Sequence, residues 1–192
     1  MLPKRAPELE GWSFDAFYQP AREVGGAFYD WLELPDCRLG IVIGDVSDKG
    51  IPAALVMATC RSLLRSAAGT GMSPGALLSR VNNSIREDIP PGMFVTCLVA
   101  YLDPADGSIE MANAGHNLPF VCHGKGAEKL MIRGMPLGLM ADMDYEEVTA
   151  AVPILGSLVL TSDGLAESHM AAERCSAPVG FRSRFSARTG NC

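Results

Sequence analysis

Two stretches of helical periodicity lie between a strand-like opening and a strand-like second half. Leu39–Gly44 (LGIVIG) is a short run rich in β-branched residues and predicts a buried strand. Gly44–Gly50 interrupts it with Asp, Ser, Asp and Gly, which is loop chemistry. Pro52 suits the first turn of a helix. Beyond it Val56, Cys60, Leu63 and Ala67 recur at i, i+4, i+7 and i+11, with Arg61 and Arg65 elsewhere on the wheel, so an amphipathic helix is expected to about Ala68. Gly69–Met72 reads as a loop. Ser73-Pro74 supplies an N-cap and a proline suited to the next position, and Leu77, Leu78, Val81 and Ile85 mark one face of a second helix to about Arg86. Pro90-Pro91-Gly92 ends that regime.

Phe94–Leu102 and Ser108–Ala114 are β-type runs joined by Asp103-Pro104-Ala105-Asp106-Gly107, a turn-rich hairpin connection. Leu118–Cys122, Tyr145–Val152 and Leu158–Thr161 add strand candidates separated by Gly and Pro. The order is strand, strand, two helices, then a series of strands. Clustered helices favour an α+β fold with antiparallel sheet over a doubly wound parallel one.

Composition narrows the picture only a little. A chain of 192 residues, 48% hydrophobic, suits one domain with a sizeable core and excludes disordered, collagenous and disulfide-scaffold classes. No apolar stretch approaches the ~18 residues of a membrane span, and no basic segment followed by an apolar one opens the chain, so a cytoplasmic protein without membrane contact is expected. The net charge of −6 argues against a duplex nucleic-acid binder. It is unevenly placed. Residues 169–192 hold four arginines and one glutamate, so a basic tail follows an acidic body. The six cysteines show no CxxC spacing, which argues against a zinc finger, and reduced thiols are expected. Cys60 and Cys97 lie in apolar periodic segments and read as small buried hydrophobes.

Candidate chemistry sits in two acidic turns, each after a buried-looking strand: Asp45-Val46-Ser47-Asp48-Lys49-Gly50 and Thr161-Ser162-Asp163-Gly164. Taken alone, each is ordinary turn composition. Carboxylates converging from two strand ends would also make an all-oxygen site for Mg²⁺ or Mn²⁺. Two such ions about 3.5–4 Å apart activate water toward a phosphoryl group.

The ordered set of motifs is more specific. Pro20–Trp31 (PAREVGGAFYDW), Gly44–Ala54 (GDVSDKGIPAA), Met93–Thr96, Ala112–Asn117 (ANAGHN), Pro136-Leu137-Gly138 and Thr161–Glu167 (TSDGLAE) are collinear over about residues 12–168. Together they resemble the SpoIIE/RsbU-type serine phosphatases, a bacterial branch of the metal-dependent PPM (type 2C) phosphatase superfamily. The resemblance implies two packed, mostly antiparallel sheets flanked by helices, an α-β-β-α sandwich, over residues 1–168. It implies a centre of two Mn²⁺ or Mg²⁺ ions that hydrolyses phosphoserine or phosphothreonine without a phosphoenzyme. On matching positions Asp45 would bridge both ions, the Val46 carbonyl would serve one, and Asp163 would hold the other. The two helices would correspond to the element through which partner or upstream sensor domains switch relatives. Typical substrates would be phosphorylated STAS-domain antagonists of anti-sigma factors.

Three positions depart from the family pattern. Ala27 stands where the opening motif carries a metal-site Asp, and Asp30 belongs to a different position of that motif. Asp48 stands where relatives commonly carry Gly. No Asp follows Asp163, so a later metal-binding Asp of the family has no counterpart in residues 169–192. A phosphatase-like adapter without catalysis is therefore the second reading, and an enzyme acting on a small phosphate ester the third. Arg22 and His116 are candidates for touching phosphate. Arg22 also reads as a solvated arginine, and His116 as a loop residue holding a hairpin end. His123 and His169 read as surface. Met131, Met135, Met140 and Met143 read as core filler or a loose lid.

Overall fold

The computed structural model describes residues 2–3, 5–18, 26–123, 126–162 and 182–183. The order is β1 (Trp12–Ser13), β2 (Phe28–Glu33), β3 (Leu39–Val46), α1 (Ile51–Ala68), α2 (Pro74–Ile85), β4 (Val95–Leu102) and β5 (Ser108–Ala114). There follow β6 (Phe120–His123), β7 (Gly126–Lys129), β8 (Glu147–Ala151), β9 (Ser157–Val159) and β10 (Arg182–Ser183). A five-stranded antiparallel sheet runs β2-β3-β4-β5-β8, a three-stranded one β7-β6-β9, and β1 pairs with β10.

The period-two alternation of the central strands decides the layering. Val95, Cys97, Val99 and Tyr101 of β4 join Val42 and Val46 of β3 in a core with α1 and α2. Leu98, Ala100 and Leu102 of β4 join Leu39 and Ile41 of β3 in a second core with Val121 of β6 and Leu158 of β9. A strand buried on both faces needs an unbroken apolar run, which is what VTCLVAYL provides. The α+β class with two antiparallel sheets stands. Among the described residues the helices cover one face of the five-stranded sheet, and the second sheet covers the other.

The helices follow the expected spacing with small changes. α1 buries Ala53, Val56, Cys60, Leu64 and Ala67, while Leu63 is half-buried and packs against the same core. Ser73 occupies the N-cap of α2 but makes no side-chain capping bond. Glu147 of β8 takes that task, its Oε1 accepting the Gly75 N–H at 2.8 Å, a carboxylate held at the positive end of the helix. Arg61 and Arg65, which the wheel sets apart from the apolar stripe, both reach the buried carboxylate of Asp30 on β2. Asn82, fully buried on α2, donates to the Met140 carbonyl at 2.8 Å and accepts the Gly138 N–H at 2.9 Å, fastening the segment after Leu137 to the helix.

Other expectations change. β3 runs two residues past Gly44, because pairing with β4 continues to Val46↔Val95. Of Met131, Met135, Met140 and Met143, only Met143 packs against the helix-side core, while the other three are exposed. Cys60 and Cys97 are buried and free as expected, but Cys37 and Cys122 are disulfide-bonded, against the expectation of reduced thiols. Cys37 lies in the exposed β2–β3 turn at φ 65°, away from the apolar layers that enclose Cys60 and Cys97. Among the described residues no helix is long and apolar enough to cross a membrane.

Candidate metal-binding and catalytic site

The ladder between β2 and β3 ends at Phe28↔Gly44, whereas β3 and β4 stay paired to Val46↔Val95. Asp45 and Val46 therefore project beyond β2 while β4 still holds them in register. Alternation sets Val46 toward the helices and Asp45 toward the second sheet. Gly26 approaches this end closely. A Cβ on it would lie 3.0 Å from the Val46 carbonyl oxygen and 3.3 Å from Oδ1 of Asp45. That space is left open by glycine, and it borders a carboxylate and a carbonyl at once. An oxygen-only donor pair of this kind fits a hard divalent cation. Continuing the β2–β3 register would place Ala27 opposite Asp45, so the departure noted in the sequence falls beside this carboxylate.

The turn after Val46 is tied back to β4. The Ser47 N–H donates to Phe94 O at 2.9 Å, and the Phe94 N–H to Ser47 Oγ at 2.8 Å. Asp48 then adopts φ 115°, a backbone conformation that favours glycine. Its carboxylate is exposed and accepts the Lys49 N–H at 2.8 Å. A conformation ordinarily left to glycine is thus held here on an Asp backbone. Replacing Asp48 by Gly is expected to stabilise the fold by about 1 kcal/mol, strain relief of roughly 1–3 kcal/mol exceeding the added entropy of the unfolded chain. Thermal denaturation should show a midpoint about 2–4 °C higher; an unchanged or lower midpoint would refute the strain.

Behind Asp45 lies a second layer of motif residues. Thr96, opposite Asp45 on β4, donates through Oγ1 to the Asp45 carbonyl at 3.2 Å and lies 3.0 Å from His116 Nδ1. His116 is buried, its main chain gripped by Asn113. Asn113 Oδ1 accepts the His116 N–H at 2.8 Å, and its Nδ2 donates to His116 O at 2.9 Å and to Ile132 O at 3.1 Å. Leu137 exchanges two main-chain bonds with Val95, the residue facing Val46. The Asp-Val-Ser, Val-Thr, Ala-Gly-His-Asn and Pro-Leu-Gly blocks thus meet at one end of β3 and β4.

The strand-end turn brought Asp45 to attention and the motif resemblance Val46 and His116, and the fold gathers them. Asp163 and Arg22 lie outside the described residues, as does His169; His123 is exposed as expected. Thr96, Asn113 and Gly26 received no role from the sequence, although each stands inside a quoted motif. Among the described residues no group of three or more His, Cys, Asp or Glu side chains forms a metal cluster. Burial pushes the Cys60 thiol up to about 12 and Cys97 well above its ordinary value, so neither supplies a thiolate near neutral pH. A cysteine nucleophile is thereby excluded at these two positions.

The family model described as "Stage II sporulation protein E (SpoIIE)" matches residues 35–185. The chain belongs to the SpoIIE family. The match runs past Ser168 into the arginine-rich tail. "Protein IcfG" of Synechocystis is 30% identical over 195 residues, covering 87% of this chain and 31% of the relative. "Phosphoserine phosphatase RsbU" of Bacillus subtilis is 29% identical over 169 residues, covering 87% of this chain and 50% of the relative. This SpoIIE-family chain thus spans between 31% and 50% of the length of those two relatives. Among solved structures, the RsbU and RsbW domains of a Mycobacterium tuberculosis protein superpose with a TM-score of 0.68 at 26% identity, covering 81% of this chain and 44% of that one. The PP2C phosphatase domain of Bacillus subtilis SpoIIE shares the fold, with a TM-score of 0.66 at 21% identity over 80% of this chain and 45% of that one.

Proposed function

We propose that this chain is a metal-dependent protein serine/threonine phosphatase. The observation that carries the reading is the pairing of the Asp45 carboxylate with the Val46 carbonyl on a strand end that outruns β2, within a SpoIIE-family fold. Asp45 and the Val46 carbonyl would hold Mn²⁺ or Mg²⁺ together with Asp163. When bound, such ions supply a water of lowered pKa and positive charge beside the phosphoryl oxygens. The chain's own contribution is placement. β4 fixes the height of Asp45, Gly26 keeps the space before it open, and the Ser47–Phe94 bonds hold the turn that follows. Arg22 is the proposed contact to phosphate, a guanidinium matching phosphate oxygens in pairs; His116, the other candidate, stands behind Asp45 with its Nδ1 on Thr96.

The proposed substrate is a phosphorylated STAS-domain antagonist of an anti-sigma factor in the cytoplasm, with α1 and α2 as the element that a partner or linked domain would switch. The name of the relative RsbU, a phosphoserine phosphatase, supports this class of chemistry. Ala27 leaves the site one carboxylate short, and ligand charge sets affinity, so half-saturation with Mn²⁺ is expected at about millimolar concentration. Incubating the chain with a phosphorylated STAS protein should release phosphate in proportion to Mn²⁺ occupancy, and EDTA should stop it. Tight STAS binding with neither Mn²⁺ uptake by calorimetry nor phosphate release would replace this reading with a non-catalytic docking domain.

A further inference from the structure

We propose that His116 is a positioning residue for Asp45, acting through the Thr96 hydroxyl. The inference rests on the phosphatase reading for its consequence, but the hydrogen-bond logic is independent of it. Thr96 Oγ1 has one proton, and a main-chain carbonyl can only accept. The Thr96 bond to Asp45 O uses that proton, so the 3.0 Å contact with His116 requires the proton to sit on Nδ1 of the ring. The imidazole is therefore the Nδ1–H donor, and the threonine relays it onto the peptide that joins Asp45 to Val46.

That peptide is where orientation matters most. It links the two oxygen donors, and it lies where β3 has already lost β2 as a neighbour. Holding its carbonyl fixes the plane from which the Asp45 side chain leaves on one side and the Val46 carbonyl on the other. The main chain that carries the donor ring is held by two hydrogen bonds to Asn113, which is 1% exposed and is itself tied to Ile132 O. An ordered path runs from Asn113 through His116 and Thr96 to Asp45. Outer groups of this kind commonly set metal affinity by about 10–100-fold.

Two measurements test it. Long-range ¹H–¹⁵N correlation spectra of the metal-free chain at about pH 8 should show His116 protonated at Nδ1; a bare Nδ1 overturns the proposal whatever the enzyme does. Substitutions then separate the two ring nitrogens. His116→Asn keeps a donor near Nδ1, whereas His116→Gln keeps one near Nε2. Mn²⁺ affinity by calorimetry should fall about tenfold in His116→Ala, His116→Gln and Thr96→Val, and recover in His116→Asn and Thr96→Ser. The His116→Ala/Thr96→Val double variant should lose no more than either single variant. In turnover, kcat should fall while KM for the phosphoprotein stays near that of the parent chain. Gln rescuing better than Asn, or a rise in KM with unchanged Mn²⁺ affinity, would place the ring on the substrate and overturn the positioning role. A parent chain that takes up no Mn²⁺ would sink the phosphatase reading instead, and the tautomer would still decide the relay.

Discussion

Replacing Asp45 by Ala is expected to lower Mn²⁺-stimulated phosphoserine release by about a thousandfold or more, while the fold persists. A thousandfold loss corresponds to roughly 4 kcal/mol of transition-state stabilisation, an ordinary figure for removing a charged group that organises the reacting centre. The fold should tolerate the change. Asp45 is half-buried, lies at the end of its strand, and belongs to neither apolar core. Its main-chain carbonyl, which Thr96 holds, is unaltered by the substitution. Thermal unfolding should therefore shift by only a few degrees, and the calorimetric signature of Mn²⁺ binding should vanish. Asp45→Asn separates charge from shape: it keeps an oxygen in place and removes the anion, so it should fall nearly as far as Ala. Turnover in either variant equal to that of the parent chain would end the assignment of this site.

How far the fold was legible depends on how local its determinants are. Ser108–Ala114 was bounded correctly at both ends because apolar alternation and the Asp-Gly turn before it are both written in neighbouring residues. The two helices were legible for the same reason. β7 was not, since its four residues are all exposed and carry no alternation to read. Ser73 was rightly placed at the start of α2, but its capping partner Glu147 comes from a strand on the far side of the sequence. The extension of β3 to Val46 was likewise hidden: the residues are Asp and Val in a turn-like context, and only pairing with Thr96 and Val95 keeps them extended. Long-range partners override local chemistry in each of these cases.

The candidate site shows the same division. Asp45 stood out because a carboxylate follows a buried strand, and Val46 and His116 because of the motifs that hold them. Thr96 looked like one more β-former, and nothing in its neighbourhood said that its hydroxyl meets His116 twenty residues away. Position 27 was flagged from the motif, while the register explains why it matters: continued by one residue, β2 would face Asp45 with whatever side chain stands there. Other carboxylates of the acidic body serve structural pairs. Asp36 and Glu110 share Arg38 at the far end of the sheet. Asp30 is spent on the helix layer.

That last carboxylate carries the largest expected effect on stability. Asp30 is 1% exposed on the helix face of β2. Arg65 donates to it from Nε at 2.5 Å and from Nη2 at 2.6 Å. Arg61 donates from Nη2 at 3.1 Å, with its Nε 2.9 Å from the other oxygen. The Asp30 carboxylate also accepts the Trp31 N–H at 3.0 Å. Its neighbourhood holds Arg65 more firmly protonated than usual, chiefly through that hydrogen bond. Asp30→Ala leaves two guanidinium groups facing each other, one of them, Arg61, only 22% exposed. Breaking a buried pair from one side costs roughly 3–5 kcal/mol; because Arg65 is half-exposed and can rehydrate, about 3 kcal/mol is expected here. In a chain of this size the thermal midpoint should fall by about 6–12 °C. Replacing all three partners together, Asp30→Leu with Arg61→Met and Arg65→Leu, should recover most of the loss, since an apolar cluster of similar volume needs no counter-charge. Below its melting point the Asp30→Ala chain should bind Mn²⁺ as the parent does, because Asp30 faces the helices and Asp45 the opposite side of the sheet. A weakened Mn²⁺ affinity in the folded variant would mean instead that the two carboxylates serve one site, and that Asp30 compensates for the residue missing at position 27.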